Sequence, residues 1–384
     1  MTASSPAPAP ALVGTEDHPQ ARIVLSAALA AGPSHAYLFH GPAGTGKRTV
    51  ARAFAAELLA EGSDDPRSVR VRVAHGSHPD LTWVRPTGAH VMRVDDVEGA
   101  VVSAATRTPF ESRRRVFVLE RVDTMNDEVA NRLLKTLEEP ASFVHLILLT
   151  DAPGRVIETV VSRCQLVRFD PLPSARIGSQ LEAEGVPPGA AATCARLALG
   201  NASRARYLAS AEGQEVRAEV DAFVASILAG REGADSATAE AWRPLLARAE
   251  SHRAAAEETV AGEAASRAEL EPKGRERRAV EREAEEAAKR EGRRASRESL
   301  ELALSLAGLT FRDLVCLAEG ADDAVLGVEG VSALAAQARS RDPRRLREAA
   351  ERCEEARQSL ELNVSEDLAL SALEFRLARL TAAG

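Results

Sequence analysis

The run GPAGTGK, residues 41–47, constrains this chain more than any other feature of its sequence. It lies between an apolar run over residues 36–40, typical of a buried strand, and an Ala/Leu/Arg/Glu pattern over residues 49–60, typical of a helix. Glycines at this spacing let backbone N–H groups surround phosphate oxygens, and the lysine meets the β- and γ-phosphates. An accidental glycine turn is the alternative, but spacing and context both favour a nucleotide-binding P loop. The candidate phosphate-binding residues are Gly41, Gly44, Thr45, Gly46 and Lys47.

Further short apolar runs follow, separated by helical patterns. They cover residues 115–119, 144–150 and 166–169. Strands that alternate with helices are typical of a parallel sheet with flanking helices. We therefore expect an α/β P-loop domain over residues 12–171.

The remainder of the chain has helical patterns. A proline-rich hinge over residues 170–173 precedes a small helical domain, expected over 172–232, and an all-α domain, expected over 233–384. Within the latter, residues 263–301 contain 22 charged side chains, 11 acidic and 11 basic. Balanced charge at helical spacing favours a solvated helix or helical hairpin over a DNA-binding arm. Residues 1–11 are rich in Ala, Pro and Ser and indicate a disordered tail.

Composition narrows the class of protein. The 384 residues include 49 basic and 57 acidic side chains, so the net charge of −8 argues against a generally basic nucleic-acid coat. No apolar run reaches the roughly 18 residues that a membrane span needs, and no secretory signal is present. The four cysteines form no CxxC pair, which disfavours a disulfide framework or a cysteine zinc site. We expect a reduced, cytoplasmic protein.

The P loop departs from its usual pattern at the next residue. The position after the lysine is normally Ser or Thr, whose hydroxyl ligates Mg²⁺, but here it is Arg48. A guanidinium has only donors and cannot ligate a cation. Thr49 follows one helical step later and should face elsewhere. If Arg48 instead turns to solvent, water can fill the metal shell and nucleotide binding survives with weakened Mg²⁺ handling.

A second departure follows the strand at residues 115–119. P-loop enzymes place an acidic pair there, the first for Mg²⁺ and the second for the attacking water. Glu120 occupies the first position, but Arg121 occupies the second and cannot act as a base. Asp123 is a fallback acid that strand-end geometry disfavours. Together with Arg48, these residues predict that the chain does not turn over ATP efficiently.

Long ordered segments carry a family resemblance. HAYLFHGPAGTGK, then TPFESRRRVFVLERVDTMNDEVANRLLKTLEEPASFVHLILLT, then SRCQLVRF closely resemble the bacterial DNA polymerase III clamp-loader ATPases, which are AAA+ proteins. The resemblance is strong over residues 12–210, and the block at residues 131–140, NRLLKTLEEP, is highly specific to the family. It implies an AAA+ domain, a helical lid and a C-terminal oligomerisation collar.

Two kinds of subunit compete within that family. The gamma/tau motor keeps an intact phosphate loop, an acidic DE pair and a cysteine zinc module, whereas delta′ subunits often have degraded ATP-site motifs. This chain resembles the delta′ kind. The resemblance implies gamma/tau and delta subunits, a sliding clamp and primer–template DNA as partners, no membrane, and ATP or ADP as ligand. The segment before HPDL, residues 78–81, lacks cysteine, so we expect no zinc and a loop held by other contacts.

Other site residues follow from the same resemblance. The family's SRC motif is at residues 162–164, which implies that Arg163 is an arginine finger directed at a neighbour's γ-phosphate, with Cys164 beside it. An ordinary surface arginine is the alternative. Thr150 matches the sensor-1 position and Arg204 the sensor-2 position. Either residue contacts nucleotide or only holds the domains in orientation.

Three functions stay open at this stage. The first is a non-motor clamp-loader subunit, the second an active motor of the same assembly, and the third a stand-alone P-loop phosphotransferase. ATP turnover by the purified chain discriminates the first two. No paired-carboxylate site for polymerase catalysis is evident, so any polymerase activity belongs to the holoenzyme.

Overall fold

The chain forms two compact units that meet in sequence between Leu172 and Pro173. The computed structural model describes residues 12–86, 91–229, 240–268, 275–327, 335–336, 338–360 and 364–381. The expected tail over residues 1–11 and part of the charged segment, residues 269–274, lie outside the described residues. The first unit contains the sheet and the second is helical. The finer division expected at residues 232/233 stays a prediction.

A five-stranded parallel sheet forms the centre of the first unit. Its strands are β1 (Ala36–His40), β2 (Leu81–Val84), β3 (Arg115–Leu119), β4 (Val144–Thr150) and β5 (Gln165–Arg168). They lie in the order β2-β3-β4-β1-β5, and every pairing is parallel. This confirms the expected α/β class. It adds β2, which we did not predict, and shifts the last strand by one residue from the expected 166–169.

Helices cover both faces of this sheet. They are α1 (Pro19–Ala31), α2 (Lys47–Ala60), α3 (Pro66–Ala74), α4 (Val94–Val97), α5 (Asp127–Glu138) and α6 (Glu158–Val161). Side chains alternate between the faces: Tyr37 and Phe39 of β1 lie in one buried core with α2, and Leu38 lies in the other with α5. All seven residues of β4 are buried, as expected for a central parallel strand.

The second unit consists of longer helices. They are α7 (Ser174–Ala183), α8 (Pro188–Leu197), α9 (Ala202–Ala209), α10 (Ala211–Ala229), α11 (Arg243–Ala268), α12 (Arg275–Ala318), α13 (Pro343–Ser359) and α14 (Glu366–Thr381). The long α12 packs against α10, α11 and α13. Its leucines at positions 300, 304 and 306 are buried in the core of this unit.

The charged segment is helical wherever the structure describes it. It spans the end of α11 and the first half of α12, which pack along each other. Exposed i,i+4 ion pairs such as Lys289–Glu285 and Arg294–Glu298 lie along α12. Such exposed pairs are typical of a solvated helix surface. None of the described helices is long and apolar enough to cross a membrane.

Candidate functional site

The phosphate-binding loop joins β1 to α2 at the carboxyl edge of the sheet. Gly41, Gly44 and Gly46 all have positive φ, at 143°, 73° and 86°. A Cβ on Gly41 would collide with the carbonyl oxygen of Phe169, because the loop passes directly beside the end of β5. Glycine is therefore required at Gly41 by its backbone conformation and by its neighbour.

Lys47 is the first residue of α2, and its side chain is only 6% exposed. Its Nζ donates to the carbonyl oxygens of Gly41 and Pro42, at 2.6 Å each. It also forms an ion pair with Oδ1 of Asp151 at 2.6 Å. The Thr45 hydroxyl donates to the Pro42 carbonyl at 2.9 Å. The loop thus holds its lysine ammonium inward, as a phosphate site requires.

Arg48 does not turn freely into solvent. Its guanidinium forms an ion pair with Oε2 of Glu120, the residue that directly follows β3. Oε1 of the same carboxylate accepts from Nε1 of Trp83 at 2.6 Å and from Nε of Arg85 at 3.2 Å. The Glu120 side chain is only 3% exposed, so both of its oxygens are committed to these donors.

Thr49 is exposed on α2, as expected. Its methyl group lies toward Gly14, where an added Cβ would come within 3.1 Å of it. Its hydroxyl therefore does not replace the missing metal ligand beside Glu120.

The residue at the second acidic position differs from the acid that an active ATPase has there. Arg121 occupies it in a left-handed conformation with φ of 53°, which is costly for a non-glycine residue. Asp123, the fallback acid, accepts a hydrogen bond from the Thr150 hydroxyl at 2.7 Å. That hydroxyl also accepts from the backbone N–H of Ala152 at 3.0 Å. The sensor-1 candidate is thus oriented by a carboxylate of its own chain.

Arg163 lies just after α6, and its side chain is 34% exposed. Its guanidinium donates to the Thr159 carbonyl at 2.8 Å and to Oε1 of Glu138, at the end of α5, at 2.5 Å. Glu138 belongs to the NRLLKTLEEP block, so two segments with family resemblance meet here. The adjacent Cys164 thiol is largely buried, which raises its pKa to about 12 and leaves it inert.

Arg204, the sensor-2 candidate, lies on α9 in the second unit. Its guanidinium donates to the hydroxyl of Ser305 on α12 at 3.0 Å. Burial lowers its pKa, with a further contribution from the positive charge of Arg357. Within its own unit this side chain therefore ties α9 to α12.

The cysteine-free segment is held by polar contacts around a buried carboxylate. Asp80 is fully buried and accepts three backbone N–H bonds, from Phe110 at 2.5 Å, Glu111 at 3.0 Å and Ser112 at 2.9 Å. Three such bonds pin the 110–112 loop to the start of β2.

A second set of contacts joins that loop to α3. Glu111 pairs with Arg72 at 2.5 Å and with Nε2 of His78 at 3.0 Å. Nδ1 of His78 accepts from the backbone N–H of Asp80 at 3.2 Å. Burial lowers its pKa. Among the described residues, no group of three or more His, Cys, Asp and Glu side chains is placed to hold a metal ion.

Sequence reasoning missed several residues of the site. Trp83 and Arg85 escaped notice because β2, which contains Trp83 and ends just before Arg85, was not predicted. Asp151 directly follows β4, and residues at the carboxyl ends of parallel strands are usual site positions, so that signal was available. Glu138 and His18, whose Nε2 lies 2.7 Å from the Thr45 carbonyl oxygen, gave no distinct sequence signal.

Comparison with known proteins identifies the family. The profile of the family described as "DNA polymerase III, delta subunit" matches residues 18–173. The delta′ subunit of DNA polymerase III from Bacillus subtilis is 35% identical over 191 residues, 49% of this chain and 57% of that protein. The delta′ subunit from Pseudomonas aeruginosa is 35% identical over 226 residues, 56% of this chain and 68% of that protein.

A tau subunit matches over a shorter stretch of sequence, and a gamma-subunit-related protein matches in structure. The tau subunit of DNA polymerase III from Bacillus subtilis is 34% identical over 143 residues, 36% of this chain and 24% of that protein. A solved gamma-subunit-related protein from Thermotoga maritima has a TM-score of 0.44 at 14% identity, covering 95% of this chain and 99% of that one. The sequence matches to delta′ subunits, over 191 and 226 residues, are longer than the match to the tau subunit. The chain belongs to the clamp-loader family of DNA polymerase III delta′ subunits.

Proposed function

We propose that this chain is a non-motor subunit of a clamp loader, one that does not hydrolyse ATP itself and lends Arg163 to the ATP of a neighbouring subunit. Its partners are then gamma/tau and delta subunits, and through them a sliding clamp and primer–template DNA. The cytoplasm is the compartment in which such an assembly works.

The observation that carries this proposal is the state of Glu120. Its carboxylate is buried, with Arg48 on one oxygen and Arg85 and Trp83 on the other, so a metal ion has to compete with these three donors for it. Phosphoryl transfer in P-loop ATPases depends on a metal held by the P-loop hydroxyl and this acid. With Arg48 replacing the hydroxyl and the acid already paired, the metal lacks one protein ligand and has to compete for the other. The pocket is therefore unsuited to hydrolysis.

The position of Arg163 supports the second half of the proposal. Its guanidinium is partly exposed and anchored at the Thr159 carbonyl and Glu138. An arginine held at the surface by an exposed ion pair can exchange that partner for a phosphate of another molecule at little cost. A guanidinium beside a γ-phosphate stabilises the charge that develops in transfer.

An active motor of the gamma/tau kind is the second candidate. The intact GxxxxGK loop with its buried Lys47 and the hydroxyl of Thr150 beside Asp123 favour it. It requires Asp123 to release Thr150 and act on water. Hydrolysis by the isolated chain separates the two candidates.

The decisive experiment for the proposed function reconstitutes the complex with an Arg163→Ala variant and measures clamp- and DNA-stimulated ATP hydrolysis. We expect the complex to lose at least the share of hydrolysis due to the neighbouring site. Arg163→Lys keeps the charge without the planar fork and should recover only part of it. Arg67→Ala, at an exposed arginine on α3, is the matched control and should behave as wild type. Wild-type hydrolysis by the Arg163→Ala complex would refute the finger role.

A further inference from the structure

In this chain, the side chains at the two positions that usually hold the metal ion of a P-loop site form an ion pair with each other. Arg48 stands where the ligating hydroxyl belongs, and Glu120 stands where the metal-side acid belongs. Their side chains form a direct ion pair. A guanidinium thus lies beside the phosphate loop, against the carboxylate that would otherwise face the metal.

Magnesium does not fit this arrangement. It takes near-octahedral oxygen ligands, several of them waters and substrate phosphate oxygens, and a protein holds it through one or two carboxylates or a hydroxyl. Glu120 has Arg48 on one oxygen and Trp83 and Arg85 on the other. Thr49 is exposed and directed toward Gly14. None of these side chains offers the metal an uncontested oxygen.

The parts that hold phosphate are nevertheless present. The glycine conformations and the buried Lys47 ammonium form the cradle. Asp151, the anion now paired with that ammonium, is 51% exposed, and a phosphate can replace such an exposed partner at small cost. Guanidinium groups bind phosphate in a bidentate manner, and the Arg48 side chain is 56% exposed, so it remains accessible while it contacts Glu120.

Charge favours an anion here. Lys47, Arg48 and Arg85 are cationic, whereas Glu120 and Asp151 are anionic. Displacement of Asp151 leaves the cradle with a further positive excess. A nucleoside polyphosphate brings the compensating charge without a metal ion.

We propose that this P loop binds a nucleoside diphosphate or triphosphate without Mg²⁺, with the Arg48 guanidinium, held by Glu120, in the place of the metal. The bound nucleotide is then a structural ligand and not a substrate for hydrolysis. This proposal rests on the proposed function only in that the pocket does not hydrolyse ATP, and it is independent of the role of Arg163.

The test is isothermal titration calorimetry of the full-length chain with ADP, in EDTA and in excess Mg²⁺. We expect ADP to bind in EDTA and Lys47→Ala to lose this binding. Mg²⁺ should tighten the binding of ADP by no more than about threefold, which is well under the 1.4 kcal/mol of a tenfold change. A tenfold or larger tightening by Mg²⁺, or no binding in either buffer, would overturn the proposal. Neither result would affect the finger assignment, which depends on hydrolysis by the reconstituted complex.

Variants at Arg48 sharpen the test. Arg48→Thr removes the guanidinium and restores the usual hydroxyl, so we expect ADP binding in EDTA to weaken at least tenfold. Arg48→Gln removes the charge without adding a metal ligand and should weaken binding equally. Arg67→Ala controls for the loss of one exposed positive charge and should bind as wild type. Affinity in EDTA that is unchanged in both Arg48 variants would contradict a metal-replacing role. Because this side chain is largely exposed, neither change threatens folding.

Discussion

Replacement of Asp80 by asparagine tests how a buried carboxylate holds the 110–112 loop of the first unit. The carboxylate is fully buried and accepts three backbone N–H bonds from the 110–112 loop, one at Oδ1 and two at Oδ2. Asparagine keeps the shape but has only one acceptor atom. If its oxygen takes the place of Oδ2, its amide nitrogen faces the N–H of Phe110, and two donors oppose each other.

The size of the effect follows from these bonds. A hydrogen bond to a charged group contributes about 1.5–3 kcal/mol, and a buried donor left without a partner costs a similar amount. Asp80→Asn loses one such bond and the charge on the other two, so we expect a loss of about 2–3 kcal/mol of unfolding free energy. Asp80→Ala removes the acceptor of all three backbone donors and should cost more, about 3–5 kcal/mol, because three hydrogen bonds to a charged group are lost together.

Urea unfolding, followed by Trp83 fluorescence in a Trp242→Phe background, reports the first unit alone because these are the chain's two tryptophans. Asp65→Ala is the matched control. That residue caps α3 through the backbone N–H of Ser68 at an exposed site and should cost about 1 kcal/mol. An Asp80→Asn variant within about 0.5 kcal/mol of wild type would refute the reasoning.

Two further predictions concern Glu138 and the buried His145. Glu138→Gln removes the ion-pair partner of Arg163. Because an exposed pair contributes at most about 1 kcal/mol, an ATP titration of the reconstituted complex should show a half-maximal concentration lowered by less than about fivefold. A loss of ATP hydrolysis as large as that of Arg163→Ala would instead mean that Glu138 orients the finger. His145 is buried, with Nδ1 donating to the Ser34 carbonyl and Nε2 accepting from Arg114, and burial lowers its pKa from 6.5. Below about pH 6.5 the folded state therefore binds fewer protons than the unfolded state. The unfolding free energy of the first unit should fall as pH decreases below this value, and it should fall less steeply in His145→Gln. An unfolding free energy that stays constant over this range would contradict the prediction.

The apolar runs predicted the central strands well because parallel strands are buried on both faces. β1, β3 and β4 occupy the expected residues. β2 was missed because it has four residues at the sheet edge, three of them partly exposed, and carries little periodic signal. The helix after the P loop begins at Lys47, two residues before the expected start, because patterns locate helix ends poorly.

The site was predictable only where a motif encodes it. The GxxxxGK spacing located Lys47, and the departures at Arg48 and Arg121 were visible in the sequence. The ion pair of Arg48 with Glu120 was not, because it depends on how two segments far apart in the chain are brought together by the order of β1, β4 and β3 in the sheet. The sequence indicated only that Arg48 cannot ligate a cation and that it has the alternative of turning to solvent; the structure leaves its side chain 56% exposed and adds the contact with Glu120.

The central claim is that the chain's own pocket does not hydrolyse ATP. Steady-state ATP hydrolysis by the isolated full-length chain with Mg²⁺, measured beside its Lys47→Ala variant, tests it most directly. We expect the two proteins to release phosphate at the same background rate. Magnesium-dependent turnover that Lys47→Ala abolishes would contradict the claim and make the chain a motor.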